Sequence, residues 1–569
     1  MRPRRMLAAA ALAAVLLAAG CGGSSSSSGS SGSVKQGGVF TIGTTNYIDT
    51  LNPFNYIEAE AVTAYLEVYP ELVQLAPNLT TYEGSYATSW SHSSDFKTYT
   101  YVLHSGGKWS DGKPLTSADV AWTANTIVKY QSDATANLAN AVAHVTKVDT
   151  AGPNKVIFHY DAAVDPNLVL SNISSLYILP EHVWGKYVGS NGKDLKTFRP
   201  ENNLPLVSGG PFQITKYAQK GTTVFKPNPG YWGTPPHVAA VGLVYYTNSD
   251  SMIADLQGGT IDAVDQVPYN AVSAVKKGTG GLVVKPYKYG EFTNITWNSN
   301  PRKPKNRELL NPQVKKALSM CVDRQQIISV VYAGNATLAN QSVIGPFGIA
   351  WQNPADSKLT FNCAEGNAML DQLGYKKGAN GIRIAPATTG KYAQPAHPMQ
   401  YQIMVPNSLD FNGSREFTIV QDGFAKAGVK VTEQAGGDSS AAAAIEYGNN
   451  CSATKGTGYD TFDIALWDWF SYTDPDFQLS VPTRPQWCNW NDQGYDNPAY
   501  NAMYKQEGIS AGAARKTLVQ KMDKLISDQY IYTFLVNEDA ISASLSSWGG
   551  YHPELNGYNS GYMTEPYQK

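Results

Sequence analysis

Lys108-Trp109-Ser110-Asp111-Gly112-Lys113-Pro114-Leu115-Thr116-Ser117-Ala118-Asp119-Val120 is the stretch from which the fold of this chain is read. Asp111-Gly112 supplies a tight turn and Pro114 stiffens the approach to it. Thr116 and Asp119 then have capping-box spacing ahead of the apolar positions Val120, Ala124, Ile127 and Val128, which predicts a helix starting at or near Ser117. On either side, Tyr99 to Leu103 and Val156 to Tyr160 alternate as strands do. Further along, Val241 to Tyr246 reads as a strand, Ser251 to Gln257 as a helix and Ile261 to Val264 as a strand; this βαβ unit implies parallel pairing in an α/β lobe.

The chain opens with a strand at Val39 to Gly43, a turn at Leu51-Asn52-Pro53-Phe54 and a helix running to about Tyr69. Its second half predicts a helix from Pro312 to about Tyr332, another around Ala364 to Leu373, strands at Tyr401 to Val405 and Asp463 to Trp467, and a helix from about Ala513 to Gln529. No repeat of solenoid period is present.

Ahead of all this, Arg2, Arg4 and Arg5 precede an apolar run from Met6 to Gly20, too short to span a bilayer and typical of an export signal. Arg4-Arg5 leaves both the general and the twin-arginine export routes open. Leu17-Ala18-Ala19-Gly20-Cys21 resembles a bacterial lipobox, with alanine where leucine is commoner at position 18, which implies lipidation of Cys21 and residues 1–20 as a signal peptide. Residues 21–36 then form a tether, nearly all Ser and Gly between 22 and 33, which cannot bury apolar surface. The roughly 530 residues after it exceed what one hydrophobic core accommodates, so two or three lobes are expected.

With 44 Lys+Arg against 46 Asp+Glu there is no basic field to attract nucleic acid. The eight histidines are scattered, with no His-Glu-x-x-His and no Cys-x-x-Cys, so no metal site is expected. Ser94-Asp95-Phe96-Lys97 has Ser-x-x-Lys spacing but lacks companion motifs. Neither a nucleophile elbow nor a phosphate loop is present, and no catalytic residue or cofactor is expected. The 35 Tyr and 12 Trp suit recognition of polar ligands with apolar faces. Cys321, Cys363, Cys451 and Cys488 permit three full pairings in an oxidising compartment. The sequence-near solution, Cys321 with Cys363 and Cys451 with Cys488, is the expectation; the alternative is a buried Cys321 thiol on the apolar face Val314, Leu318, Cys321.

Six segments in order resemble the extracytoplasmic solute-binding proteins of ABC importers, of the family that captures oligopeptides, dipeptides and nickel chelates. These are Thr50-Leu51-Asn52-Pro53, the stretch at 108–120, Gly209-Gly210-Pro211-Phe212, Asn228 to Gly233, Leu256 to Asp262, and Val314 to Ser319 followed by Val322-Asp323-Arg324. The Asp323-Arg324 pair reads as exposed or locally paired. The resemblance implies a periplasmic-binding-protein type II fold with two hinged α/β lobes. Lobe I is placed at 37–77, 207–297 and 533–569, an inserted subdomain at 78–206, and lobe II at 298–532.

It implies a monomeric, membrane-anchored receptor on the extracytoplasmic face that captures a small solute, a peptide being favoured, and delivers it to an ABC permease and its ATPase. A solute sensor of the same fold, or an oligosaccharide-binding importer component, is the alternative. Peptide-binding relatives place an aspartate three residues after a tryptophan; here Phe470 follows Trp467 and Tyr472 follows Trp469 at that spacing. Candidate ligand residues are therefore Glu60, Phe292, Asn294, Trp467, Asp468, Trp469, Tyr472 and Asp474. Phe292, Trp467 and Trp469 are expected to stack on apolar ligand faces, and Glu60, Asn294 and Asp468 to fix polar groups; Asp474, like Asp468, is a substitute for the displaced aspartate.

Overall fold

A computed structural model describes residues 37–131, 133–189, 191–277, 281–406, 413–437, 439–448 and 450–569. The expected export signal, Cys21 and the expected tether lie outside the described residues. Eleven strands form one sheet: β1 (Val39–Thr44), β2 (Phe212–Lys216), β3 (Thr222–Pro227), β4 (Ala240–Tyr245), β5 (Ala263–Val264), β6 (Leu282–Trp297), β7 (Ala336–Leu338), β8 (Gln400–Pro406), β9 (Lys430–Gly437), β10 (Ile464–Phe470) and β11 (Tyr532–Leu545). Their order is β9-β8-β10-β6-β11-β5-β1-β4-β3-β2, with β7 also on β11.

β4 and β5, the strands of the βαβ unit, both run parallel to β1, which lies between them. The connecting helix, Ser249–Gln257, is capped by Asn248, whose side chain accepts from the Ser251 amide at 2.9 Å.

β6 and β11 run through both lobes. Their antiparallel ladder extends from Leu282↔Leu545 to Thr296↔Tyr532 and is irregular between Lys288 and Asn294. β11 takes β5 of lobe I as its other neighbour at Ala543–Ser544 and β7 of lobe II at Val536–Glu538, while β6 gains β10 from Glu291 onward. The lobe boundaries placed at 297 and 533 from the sequence therefore fall at the ends of these strands. The change of neighbours comes earlier in β6 and later in β11.

In lobe I, α1 (Glu60–Val68) packs Ala61, Ala64, Tyr65 and Val68 into a core that also contains Phe40, Ile42 and Val241. The inserted subdomain joins that same core through Trp109, Phe158 and Trp184. Trp109 is wholly buried, a burial worth roughly 3 kcal/mol, because the turn folds its indole inward: the Gly112 amide donates to Trp109 O and the Trp109 amide to Lys113 O, each at 2.8 Å. Gly112 has φ +85°, a conformation that glycine adopts without strain. Next comes α2 (Ser117–Tyr130), with the capping box formed; Asp119 Oδ2 accepts from the Thr116 amide at 3.0 Å. Gly209-Gly210 is needed for close approach, since a Cβ on Gly210 would sit 2.6 Å from Glu67 O.

In lobe II, the helix expected from Pro312 to Tyr332 is two helices. α3 (Pro312–Ser319) ends, and a second helix, Arg324–Val330, starts afresh with Asp323 capping the Gln326 amide at 3.0 Å. Nor is Arg324 exposed or locally paired: its guanidinium is buried and donates to the carbonyls of Ala339, Phe534 and Leu359. The break starts the second helix at Arg324, whose side chain is turned inward onto these carbonyls. α4 (Gly413–Lys426) and α5 (Gly512–Gln529) cover the rest of lobe II, and Cys321–Cys363 and Cys451–Cys488 are disulfides.

A candidate ligand-binding chamber between two lobes

Between the lobes lies a chamber of about 580 Å³, within the range of small-molecule sites. The loop into α1 gives Glu58 and the first residue of α1 is Glu60, the loop after β5 gives Asp265 and Gln266, and the C-terminal segment gives Asn556 and Tyr558. The insertion adds Ser171, Ser174 and Tyr177, the hinge strand β6 adds Tyr287, Tyr289 and Glu291, and lobe II adds Phe347 and Phe470 to Thr473. A pocket of about 280 Å³ shares Gln266, Tyr289 and Glu291 with it and brings in Arg415 and Glu538. A larger cavity of about 770 Å³ lies beside the hinge strands and the 548–554 segment, with Lys285, Lys288, His552 and Lys569 on its walls. The 580 Å³ chamber is the better candidate because α1, the insertion and the end of β10 wall it together.

Phe470 is the centre of the chamber's rings. It stacks on Tyr558 at 5.6 Å and meets Tyr289 and Phe347 edge-on at 5.7 and 6.4 Å. The Tyr558 hydroxyl has no hydrogen-bond partner among the described residues. Burial raises its pKa well above the usual phenol value, so it is a neutral donor and acceptor available to a ligand.

Of the residues singled out from sequence, Glu60 and Tyr472 line this chamber. Tyr472 is 40 % exposed. The others sit elsewhere. Phe292 is buried against Phe534, and Asn294 is buried and donates to Thr296 Oγ1 at 2.9 Å. Trp467 packs on the small cluster of Met404, Ala442 and Ala465, and Trp469 on Phe477 and Trp490. Asp468 is half-buried in β10 opposite Thr293. These residues are inside the sheet, in register Phe292↔Trp469 and Asn294↔Trp467, whereas the chamber is reached only where β10 ends, at Phe470 and beyond.

Asp474 is committed to Arg515: its two oxygens accept from Nη1 and Nη2 at 2.6 Å each. Arg515 also meets Glu507 at 2.6 Å and Asp165 of the insertion at 3.5 Å. Burial alone would lower the Arg515 pKa, but these carboxylates raise it above its ordinary value, so it stays charged. Asp165 also caps the helix Pro166–Ile173 and accepts from the Gly512 amide at 2.7 Å, Asn167 donates to Asp474 at 3.0 Å, and Tyr82 and Thr473 share a 2.6 Å hydrogen bond. The insertion is thereby fastened to lobe II beside the chamber.

At the hinge, Tyr332 donates toward Glu416 at 2.8 Å and Glu538 at 3.0 Å, and Thr293 toward Glu416 at 3.2 Å. One phenol proton serves two carboxyls, and burial pushes Glu416 up to about 7.

The model of the bacterial extracellular solute-binding proteins, family 5 Middle, matches residues 81–487. The chain belongs to that family. Among its relatives, a probable ABC transporter-binding protein of Deinococcus radiodurans is 25 % identical over 433 residues, covering 71 % of this chain and 69 % of the relative. The oligopeptide-binding protein AppA of Bacillus subtilis is 24 % identical over 539 residues, covering 93 % and 92 %. AppA has been solved with a nonapeptide; that structure is 21 % identical, spans 94 % of this chain and 100 % of its own, and superposes with a TM-score of 0.72. The fold is that of the type II periplasmic binding proteins, and the solute-binding protein described here is a receptor of the class that serves ABC importers.

Proposed function

We propose that this solute-binding protein captures a peptide or peptide-like solute in the interlobe chamber and presents it to an ABC permease while held to the membrane by a lipid on Cys21. The chamber carries the reading: a ring-lined volume of about 580 Å³ takes a short peptide, with apolar side chains on Phe470, Tyr558 and Phe347 and backbone polar groups on the serines and tyrosines around them. Relatives named for oligopeptide binding, AppA among them, support the peptide. The apolar run ahead of Cys21 and the Ser/Gly tether after it support the anchor. Binding is followed by hinge bending at the irregular part of the β6/β11 ladder, so that one monomer shuttles between open and closed forms.

Mass spectrometry of whatever co-purifies with the chain tests the reading. Peptides in the released fraction support it; a released oligosaccharide, with no heat in calorimetry against mixed oligopeptides, refutes the peptide.

A further inference from the structure

Taking the chamber to be the solute site as above, we propose that the solute is an extended peptide that runs from the chamber past the ring of Phe347 into the larger cavity, and that Phe347 is the residue that limits its length. The two cavities lie end to end along the same segments of chain. Leu75 lines the chamber and Pro77 to Thr80 the larger cavity; Asn556 to Tyr558 line the chamber and Trp548 to Glu554 the larger cavity. On the hinge strand β6 the chamber takes Glu291 and the larger cavity Val283 and Lys285, while Tyr287 and Phe347 line both. Together the two volumes, about 580 and 770 Å³, exceed the roughly 300–1,000 Å³ of an ordinary small-molecule site.

Phe347 is the partition. Its ring meets Phe470 and Tyr558 of the chamber edge-on at 6.4 and 6.3 Å, and it also rests on Gly290, which lines the larger cavity and not the chamber. A Cβ on Gly290 would sit 2.7 Å from Phe347 Cε2, so a glycine there leaves the ring its place. The backbone of Phe347 is held, its amide donating to Ser471 Oγ at 2.9 Å, but the side chain is only half-buried. A change of rotamer therefore moves the ring aside without moving the loop. Beyond it the larger cavity suits the rest of a peptide. Val283, Ile349 and Trp548 give apolar walls, and Ile349 is 61 % exposed, surface that a solute would cover. Asn78, Thr337 and Ser544 stand among them with neutral polar groups for a peptide backbone.

Calorimetry on protein stripped of ligand by unfolding and refolding tests this with two amidated peptides, Ser-Ala-Tyr and its threefold repeat. The nine-residue peptide is expected to bind about tenfold or more tighter than the three-residue one. Two variants locate the gain. Thr337→Trp, at an exposed position of β7 on the wall of the larger cavity, fills that cavity and lowers affinity for the long peptide by about fivefold or more, while the short peptide stays within about twofold. Phe347→Ala removes chamber contacts from both peptides alike but takes away the partition, and it raises the long-to-short affinity ratio by about fivefold or more. Equal affinity of the two peptides, or an advantage of the long one that neither variant changes, overturns the spanning solute and leaves the peptide receptor standing. A change with Phe347→Ala alone overturns the span, and a change with Thr337→Trp alone overturns the role given to Phe347. Loss of the short peptide in Thr337→Trp overturns the chamber as the place where binding starts. Binding of neither peptide overturns the peptide receptor itself, and this proposal with it.

Discussion

Asp165→Asn separates the fastening of the insertion to lobe II from the stability of either part. In the structure Asp165 Oδ1 accepts from the Asn167 amide at 2.9 Å, capping its own helix, while Oδ2 accepts from the Gly512 amide across the lobe boundary at 2.7 Å. An asparagine has one acceptor oxygen and no charge. It keeps the cap, for which it is as good as aspartate, and gives up the charge-assisted bond to Gly512 and the attraction to Arg515. Such a bond is worth about 1.5–3 kcal/mol; in the proposed open form, in which the insertion and lobe II part, water takes the place of Gly512 and nothing is lost. Allowing for partial compensation by water, the closed form is disfavoured by about 1–2 kcal/mol, and affinity for a ligand that needs closure falls by roughly 5- to 30-fold. Calorimetry reads the affinity, and small-angle scattering of the free protein reads the accompanying shift toward the more extended form. Asp165→Ala is the comparison: it loses the cap as well and lowers unfolding stability by about a further 1 kcal/mol. An Asp165→Asn protein that binds within twofold of the parent and scatters identically refutes the fastening.

Asp474→Ala leaves the guanidinium of Arg515, wholly buried, without its two-point partner and lowers stability by about 3–5 kcal/mol in urea unfolding; a loss under 1 kcal/mol contradicts the structural role given to Asp474. Glu416, raised to about 7 by burial, keeps its proton in the folded state while the unfolded carboxyl releases one above its ordinary value near 4.3, so stability falls as pH rises between those values. Between pH 5 and 8 the parent therefore loses about 2.5 kcal/mol more than Glu416→Gln does, and parallel pH profiles argue against it. Replacing Cys451 and Cys488 by serine opens a loop with a separation of 37 residues and lowers stability by about 4 kcal/mol on the chain-entropy estimate, read as a lower denaturant midpoint. Tyr558→Phe removes a hydroxyl with no partner among the described residues, so unfolding stability stays within about 0.5 kcal/mol while affinity for the co-purified solute drops several-fold; unchanged affinity shows that the hydroxyl does not meet ligand.

The parts of the fold that local chemistry dictates were readable in the sequence. The Thr116/Asp119 cap, the turn at Asp111-Gly112 and the βαβ unit that ends at Val264 each rest on side chains within a few residues of the backbone they organise. Arg324 was not, because nothing nearby in sequence shows that Ala339, Leu359 and Phe534 would bring carbonyls to it. The chamber was half legible. Trp467, Asp468 and Trp469 lie on the strand whose end walls the chamber, but the side chains that line the chamber begin at Phe470, where pairing with β6 stops. Phe470 itself was visible as the residue standing where peptide-binding relatives have an aspartate. Tyr289, Phe347 and Tyr558, which surround it, come from three distant segments with no shared motif.

The passage of β11 through both lobes bears on the order in which this protein acquires structure. β1 and β5 are made early, yet β5 waits for Ala543 and Ser544, and the core of lobe I is completed by Trp548, Tyr562 and Met563. At about 5–20 residues per second, several hundred residues must be synthesised before the first lobe finds its last strand. During that interval the apolar face of a half-built sheet is exposed, and closing it requires contacts between the two ends of the sequence, the slow kind. Until that last strand is in place the first lobe cannot close, and the lobe that begins first is finished last.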